Sequence, residues 1–361
     1  MPPSLPLVEA ISQRVDRFTA QRREEAAELG PEGLTFVDHA AASLQGGKRL
    51  RARFCWWAWR GVAGQNAADA DAVVGAAAAL EVFQAAALVH DDLIDNSDTR
   101  RGRPSAHRAL EAGHRGAGWT GDAEAYGRAG SVLLGDLLVA WSDDLLEESL
   151  AALRPAAAAT ARAEYARMRR DVTAGQFLDI AEESAWSTAP DDTLADRALR
   201  VASYKSARYS VQQPLVIGGA LAGGDEPTLA ALRAFGHPLG MAFQLRDDVL
   251  GVFGDEAETG KPAGDDLREG KRTALVAYAR AALAPDERSR FDELLGDSGM
   301  TDADIAWLRE RITSTRALDR VERLIVDYAA EADAALNAAR LDAEAAAELR
   351  SLARAAVQRR A

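Results

Sequence analysis

Four aspartates lie within eight positions of one another at the end of an alanine-rich apolar segment. The stretch that contains them reads LVHDDLIDNSDTRRGRP. On an α-helix Asp91 and Asp95 share one face, and Asp92 lies about 100° around the axis. Like charges at this spacing repel each other unless a positive group lies among them. The cluster therefore indicates either a solvated helix end or a cation site.

A second acidic pair, Asp247 and Asp248, ends another apolar segment, FGHPLGMAFQLRDD. Two apolar helices that end in carboxylates predict a shared cation site at one end of a helical bundle. Carboxylates without neighbouring Cys or His ligands favour a hard ion such as Mg²⁺. A di-iron bundle would need paired Glu-x-x-His motifs, and the one match, Glu111 to His114, lies in a glycine-rich break.

Lysine is rare in this chain, and each lysine lies in a segment that contains Gly or Ser. The four lysines among 43 basic residues are Lys48, Lys205, Lys261 and Lys271. A compact ammonium binds phosphate as a point charge, whereas a guanidinium is a planar fork. Together with Arg51, Arg100 and Arg101, the lysines predict two phosphate-bearing ligands. One would be held through metal and the other directly by cations.

The elements that must position these residues are helices. Segments rich in Ala, Leu, Glu and Arg recur with helical spacing between Gly-, Pro- or Asp-containing breaks, and strand signals are nearly absent. We predict one all-α domain over residues 1–361, with residues 330–361 as peripheral helices. The apolar segment before Asp91 contains Glu81 and Gln84, which are costly in lipid. It therefore predicts a buried helix, and we expect no transmembrane segment.

The composition excludes some classes of function. A net charge of −13 argues against a nucleic-acid partner, which requires a basic surface. Cys55 is the only cysteine, so we expect no disulfide, a reducing compartment and a thiol packed in the core. The first residues lack a basic stretch followed by an apolar one, so no signal peptide is expected. These features predict a cytoplasmic protein.

Six motifs, in order from about residue 40 to 280, resemble those of the trans-isoprenyl diphosphate synthases. They are GGKRLR, DDLID followed by TRRG, GQFLD, YKSA, FQLRDD and GKPAGDD. Within that family the chain most resembles bacterial geranylgeranyl diphosphate synthases. The resemblance implies the isoprenoid synthase fold, a helical bundle around a central apolar product cavity, and a homodimer.

The resemblance also implies a reaction, the condensation of isopentenyl diphosphate with dimethylallyl, geranyl or farnesyl diphosphate. The allylic C–O bond ionises as Mg²⁺ neutralises the departing diphosphate. The double bond of isopentenyl diphosphate then attacks the allylic cation, and a proton is lost. A dry apolar cavity protects the cation from water. Three Mg²⁺ ions are implied, and Mn²⁺ is expected to substitute for them.

Each motif residue receives an implied role. The expected metal ligands are Asp91, Asp95, Asp247 and Asp248. The expected catalytic set is Asp91, Asp92, Asp95, Lys205 and Asp247. The allylic diphosphate is expected to contact Arg100, Lys205, Gln244 and Lys261. Ser206 is expected to bind substrate, and Lys271 is expected to contact a diphosphate from a closing loop. Isopentenyl diphosphate is expected to contact Lys48, Arg51, Gln84 and Arg101. Gln176 and Asp179 are expected to support these contacts from behind.

Two positions depart from the family's pattern. Gly251 stands where the second motif usually has its third aspartate, which removes one carboxylate. We expect water, Asp255 or Asp265 to compensate for it. Ala52 stands where a proline usually follows GGKRLR, and we expect this to affect only local helix geometry.

The helix before Asp91 predicts the length of the product. Ala87 lies one turn before Asp91 on the same face and Ala86 lies beside it. Family members that stop at farnesyl commonly carry bulky aromatics at one or both places. Phe83, about 12 Å below Asp91 by helical rise, is the first large side chain that would close the pocket, unless it is ordinary core and the floor lies on another helix. The expected product is geranylgeranyl diphosphate, with longer-chain polyprenyl or farnesyl diphosphate as alternatives.

Three other functions compete with this interpretation. A class I terpene cyclase shares the first aspartate cluster but needs an Asn…Ser…Glu metal motif in place of RDDVLG, and none is visible. A non-catalytic regulatory subunit would usually have lost its aspartates, whereas the first motif is intact. A structural helical bundle explains the alanines but not the ordered motifs.

Overall fold

The structure is a computed structural model. It describes residues 4–64, 68–254, 264–297 and 299–357. Over these residues nearly all regular structure is helical, which confirms the predicted all-α class. The chain forms two compact units, of which the first comprises Met1–Trp56 and Gln65–Ala158 and the second comprises Trp57–Gly64 and Ala159–Ala361. The single-domain organisation stays a prediction.

Besides the first four residues of the helix Pro155–Ala185, the first unit contains six helices or parts of helices in the ranges that the structure describes. They are α1 (Ser4–Glu25), α2 (Gly30–Ser43), the first half of α3 (Leu50–Ala63), α4 (Ala70–Ile94), α5 (Ala106–Gly116) and α6 (Ala123–Leu150). A 3₁₀ turn, Ala26–Leu29, precedes α2. A hairpin of two short strands, β1 (Thr99–Arg100) and β2 (Arg103–Pro104), joins α4 to α5.

Helix α4 is the core helix of the first unit, and small side chains let α6 pack closely along it. A Cβ placed on Gly75 of α4 would lie 2.1 Å from Ser149 Oγ of α6. A Cβ placed on Gly135 of α6 would likewise lie 2.1 Å from His90 Nε2 of α4. Glycine is therefore required at both of these contacts, since a larger residue there would overpack the core.

By length and composition, α4 resembles a membrane span more than any other helix in the described ranges. However, 78% of its most apolar stretch is buried inside the protein. This burial supports the interpretation of the segment as a core helix. Cys55 of α3 is also buried, as expected, and burial raises the pKa of its thiol to about 12.

Besides the second half of α3, the second unit contains most of α7 and the remaining described helices. They are α7 (Pro155–Ala185), α8 (Leu194–Val201), α9 (Gln213–Leu221), α10 (Glu226–Phe253), α11 (Asp265–Arg268), α12 (Ala274–Ala282), α13 (Pro285–Leu294), α14 (Asp302–Ser314), α15 (Ala317–Ala338) and α16 (Ala343–Val357). A 3₁₀ turn, Asp191–Thr193, precedes α8. An 11-residue π-helical segment, Ala202–Gln212, connects α8 to α9.

Helix α10 carries the second aspartate motif in its last turns. Its apolar face includes Leu245, Val249 and Val252, which are spaced four and three residues apart and belong to the apolar core of this unit. Arg246 points away from that core and donates two hydrogen bonds of 2.7 Å to the Glu322 carboxylate on α15. The arginine of FQLRDD therefore anchors α10 to a neighbouring helix.

Candidate active site

The first aspartate motif occupies the C-terminal end of α4. Asp92 is buried, whereas Asp91 and Asp95 are half-buried. Arg100 Nε donates to Asp92 Oδ1 at 2.8 Å, and Arg100 Nη2 lies 3.8 Å from Asp91 Oδ2. Burial raises the pKa of Asp92, and the hydrogen bond from Arg100 acts in the opposite direction. Asp92 and Arg100 thus form a partly buried ion pair beneath the two more accessible carboxylates.

A tight hairpin positions both arginines that follow the motif. Arg101 and Gly102 have φ values of +54° and +70°, the left-handed pattern of a type I′ turn. This turn matches the twist of the strand pair in which Arg100 faces Arg103. Arg100 ends β1 and reaches Asp92, whereas Arg101 is the first residue of the turn and reaches elsewhere. The sequence analysis did not predict this hairpin.

Arg101 reaches the GGKRLR loop. Its Nη1 donates to the carbonyl oxygen of Gln45 at 3.1 Å. A Cβ on Gly47, whose φ is +90°, would lie 3.1 Å from Arg101 Nη2, so glycine lets the guanidinium approach the loop. Burial, together with the neighbouring charges of Arg49 and Arg100, lowers the pKa of Arg101. Guanidiniums crowded in this way form a site that a polyanion would stabilise.

Arg49 and Glu81 are important residues that the sequence analysis missed. Arg49 is buried, donates to the carbonyl oxygen of Leu44 at 2.8 Å and lies 3.8 Å from Glu81 Oε2. Glu81 Oε1 accepts a 3.0 Å hydrogen bond from the Ala52 amide and thereby satisfies a backbone donor in the first turn of α3. A buried glutamate requires a partner, so a glutamate within an apolar segment is a signal in the sequence that such a partner exists. The spacing of the sequence does not identify which residue the partner is.

The other residues expected to bind isopentenyl diphosphate also lie in the first unit. Lys48 is exposed in the GGKRLR loop, and Arg51 and Gln84 are half-buried. Arg51 is near enough to Arg101 to contribute to the lowering of its pKa. The structure therefore brings Arg51 and Arg101 together, with Lys48 beside them along the chain.

The residues expected to set chain length differ in their environment. Phe83 and Ala86 are buried in the packing of α4, whereas Ala87 is half-buried. The first unit also contains a cavity of about 440 Å³. From α4, the cavity is lined by Ala85, Leu88, Val89 and Asp92. The three predicted positions are not among these lining residues. This cavity therefore lies on a different face of α4 from Ala87.

The second aspartate motif is partly withdrawn from solvent. Asp248 is buried and accepts a 2.7 Å hydrogen bond from Gln244 Nε2, so the predicted diphosphate contact Gln244 orients a carboxyl group in this structure. Burial, followed by the charges of Asp266 and Asp247, raises the pKa of Asp248 to about 8. A carboxyl group with this pKa keeps its proton at neutral pH unless a cation replaces it.

The oxygen donors of both motifs fit a hard divalent cation. Within the described ranges, no three His, Cys, Asp or Glu side chains are gathered as a ready-made metal site. Mg²⁺ takes few protein carboxylates and completes its shell with phosphate oxygens and water. The residues present therefore fit an ion that binds together with a diphosphate.

Lys205 lies in the π-helical segment between α8 and α9. Its Nζ forms a 2.5 Å ion pair with Oδ2 of Asp179, which is the last residue of GQFLD and lies on α7. A Cβ on Gly175 of α7 would lie 2.3 Å from Lys205 N, and one on Gly240 of α10 would lie 2.4 Å from Ala207 O. Glycines on two helices thus admit the wider π-helical backbone, which is typical of functional sites.

The remaining predicted residues that the structure describes also lie in the second unit. Lys271 Nζ lies 2.6 Å from Glu269 Oε2 and 3.3 Å from Asp266 Oδ1. Ser206 and Gln176 are half-buried. Lys261 and Asp255 lie outside the described residues. The shared cation site stays a prediction.

Comparison with known proteins identifies the family. Residues 35–312 match the family model described as polyprenyl synthetase. The chain belongs to the polyprenyl synthetase family. This confirms the predicted membership of that enzyme family, and the isoprenyl synthase fold agrees with the helices described above.

Two curated relatives and one solved structure illustrate the similarity of this polyprenyl synthetase to known proteins. The short chain isoprenyl diphosphate synthase of Methanocaldococcus jannaschii is 30% identical, over 66% of this chain and 64% of that protein. The geranylgeranyl diphosphate synthase of Sulfolobus acidocaldarius is 31% identical, over 70% of this chain and 68% of that protein. The chain thus spans about two thirds of these relatives. A crystal structure of geranylgeranyl pyrophosphate synthase from Corynebacterium glutamicum has a TM-score of 0.91 at 39% identity, covering 98% of this chain and 99% of that one.

The raised pKa of Asp248 predicts how stability depends on pH. An aspartate in an unfolded chain titrates near pH 4, so between about pH 4 and pH 8 the folded protein holds a proton that the unfolded chain releases. The free energy of unfolding of the metal-free protein should therefore fall through this window as pH rises. Asp248→Asn keeps an acceptor for Gln244 but has no carboxyl group to ionise, so its free energy of unfolding should not fall in this way as pH rises. In chelator, the variant should have a higher Tm than wild type at about pH 8 and a similar Tm at about pH 5.

The control for this measurement is Asp286→Asn, which changes an exposed carboxyl group in the first turn of α13. It should follow the wild-type curve. Parallel curves for wild type and Asp248→Asn across the whole window would contradict the burial argument.

Proposed function

We propose that this chain is a Mg²⁺-dependent prenyltransferase that condenses isopentenyl diphosphate with an allylic diphosphate. One observation carries the proposal: in the first unit, a carboxylate end of an apolar helix lies next to a cluster of guanidiniums. The Asp92–Arg100 ion pair joins the two parts, and Arg101 extends the cations to the GGKRLR loop. Such an arrangement suits one diphosphate held through metal and a second held directly by arginine and lysine.

The proposed metal ligands are Asp91 and Asp95 from the first motif and Asp247 and Asp248 from the second. When bound, Mg²⁺ neutralises the negative charge of the departing diphosphate. Asp92 would not compete for this role, because its carboxylate already accepts the hydrogen bonds of Arg100. We propose three ions, with Mn²⁺ as a substitute.

The protein's own residues would hold the substrates and exclude water. The allylic C–O bond breaks, and its electron pair leaves with the diphosphate. The alkene of isopentenyl diphosphate then forms the new C–C bond, and the released proton passes to the diphosphate. Lys48, Arg51 and Arg101 would anchor the isopentenyl diphosphate, while Lys205, oriented by Asp179, and Arg100 would contact the allylic one. Apolar surroundings would protect the cation from water.

The proposed product is geranylgeranyl diphosphate. Ala87, on the face of Asp91, is half-buried and carries no bulky group, while Phe83 one turn farther from the aspartates is buried. A chain growing along this face would pass Ala87 and stop at Phe83. Farnesyl and longer products are the alternatives.

We further propose a cytoplasmic homodimer. Tyr126 and Leu133 of α6 lie seven residues apart, hence on one face of the helix, and Leu133 is 61% exposed. Val132 beside it is 44% exposed. Large apolar side chains grouped on one exposed helix face are typical of a protein interface, and a second copy of the chain would cover them.

The first test concerns the metal and the first motif. Asp91→Ala should lower the turnover rate by about 10²–10³, because one charge contact to the departing diphosphate is lost, and excess chelator should abolish wild-type activity. Asp71→Ala, an exposed carboxylate in the first turn of the same helix, is the matched control. Product formation from isopentenyl and farnesyl diphosphates, with circular dichroism for the fold, measures both. Robust turnover of Asp91→Ala, or of wild type in chelator, would overturn the metal assignment.

The second test separates the two diphosphates. Lys48→Ala should raise the Michaelis constant chiefly for isopentenyl diphosphate, and Lys205→Ala chiefly for the allylic substrate, by roughly tenfold or more for a lost charged contact. Steady-state kinetics with each substrate varied in turn measures the difference. If Lys48→Ala moved only the allylic constant, the division of the cations would be wrong.

The third test concerns product length. Ala87→Phe should shift the product toward farnesyl diphosphate, because a growing chain cannot displace a ring held in a packed helix. Phe83→Ala should admit longer products. Ala85→Phe is the matched control, since Ala85 faces the 440 Å³ cavity on another side of α4. Because Asp92, Arg100 and Arg101 also line that cavity, this variant can turn over more slowly, but the length of its product should be unchanged. Chromatography of the dephosphorylated products reports the lengths, and an unchanged product in Ala87→Phe would place the pocket elsewhere.

A further inference from the structure

The space at position 251 of α10 is filled by a side chain from another element. A Cβ placed on Gly251 would lie 1.9 Å from Asp266 Oδ2 and 2.3 Å from Asp266 Cγ. These distances are far below van der Waals contact, so no side chain at residue 251 fits beside Asp266 as it stands. The carboxylate of Asp266 therefore lies where the side chain of residue 251 would begin.

Short-range contacts hold Asp266 in this place. Gly264, with φ of +84°, precedes α11 in a left-handed conformation that favours glycine. The backbone N–H of Lys271 donates to the Asp266 carbonyl oxygen at 3.0 Å, and Lys271 Nζ lies 3.3 Å from Asp266 Oδ1. The Asp266 side chain is 14% exposed. Its carboxylate is thus fixed by backbone and side-chain contacts and directed toward α10.

The position of Asp266 brings its charge close to the second motif. Asp248 lies three residues before Gly251 on α10, which is just under one helical turn. The charges of Asp266 and Asp248 are close enough to interact. Asp265, its neighbour in sequence, is not the residue that the structure places against Gly251.

We propose that Asp266 supplies the carboxylate that the second motif lacks at Gly251. The inference rests on the proposed function, and it adds to the second aspartate motif a residue from GKPAGDD. The two residues then act together, because the absence of a side chain at Gly251 makes room for the Asp266 carboxylate of α11. A third acidic group strengthens the hold of Asp247 and Asp248 on a divalent cation, either as a ligand or by orienting the ligands.

The test measures metal binding without turnover. Mn²⁺ is titrated into the full chain in the presence of inorganic diphosphate, and unbound Mn²⁺ is followed by its electron paramagnetic resonance signal. Asp266→Asn, which keeps the shape of the side chain, should weaken Mn²⁺ binding by about 10- to 100-fold. Gly251→Ala should also weaken it and should lower the Tm, since the added methyl group displaces Asp266. Asp286→Asn is the control for an exposed carboxylate and should bind as wild type does.

Two further variants make the inference specific. In Gly251→Asp/Asp266→Gly the carboxylate comes from α10 instead, and Mn²⁺ affinity should return to within about threefold of wild type, well inside the 10- to 100-fold loss expected for Asp266→Asn alone. Asp265→Asn separates the two adjacent acids. Wild-type affinity in Asp266→Asn, loss of affinity in Asp265→Asn instead, or a folded exchange variant that stays weak would each overturn the inference.

The two proposals fail in different ways. If wild type condenses the substrates while Asp266→Asn binds Mn²⁺ normally, only the role of Asp266 is wrong. If Mn²⁺ binding depends on Asp266 as expected but wild type forms no prenyl product from any allylic starter, the proposed reaction is wrong and the role of Asp266 in cation binding is supported.

Discussion

Carboxylates at the ends and along the sides of apolar helices need positive or hydrogen-bonding partners, and much of the local structure follows from this need. A charged group withdrawn from water is costly unless it is paired. Asp92 is paired with Arg100, Glu81 with Arg49 and the Ala52 amide, and Asp248 with Gln244. The hairpin after α4 and the loop before α3 are shaped by the arginines that must reach these partners.

The second constraint is close helix packing, which the small residues satisfy. On α7 and α10, Gly175 and Gly240 leave room for the π-helical backbone that carries Lys205. A π-helix is wider than an α-helix and is seldom stable alone, so its neighbours must yield space. In this protein the missing side chains do so on two sides, and the Lys205–Asp179 ion pair fixes the lysine within the resulting gap.

The sequence was sufficient to predict the helices that carry the motifs and the family to which they belong. Helical periodicity is a local property. Helix α4 does end in the carboxylates that the pattern indicated, and α10 carries its pair in its last turns before ending at Phe253. The partners of the buried carboxylates were harder to predict from the sequence. Arg49 and Glu81 lie 32 positions apart in the chain, and residue spacing carries no information on such contacts. The compensation for Gly251 was expected from water, Asp255 or Asp265. The carboxylate that lies against Gly251 in the structure is that of Asp266. Spacing alone could not choose between the adjacent Asp265 and Asp266 at the start of the short helix α11.

Helix α4 connects two parts of the first unit at a fixed separation. Glu81 accepts a hydrogen bond from the backbone at the start of α3 and pairs with Arg49. Asp92, eleven residues later, pairs with Arg100. At 1.5 Å per residue this interval is about 16 Å, and each residue turns the helix by about 100°. A single residue inserted between the two acids would rotate Asp92 away from its arginine while Glu81 stayed in place. Insertions and deletions should therefore be absent from this interval in functional homologues, even where the flanking loops vary in length.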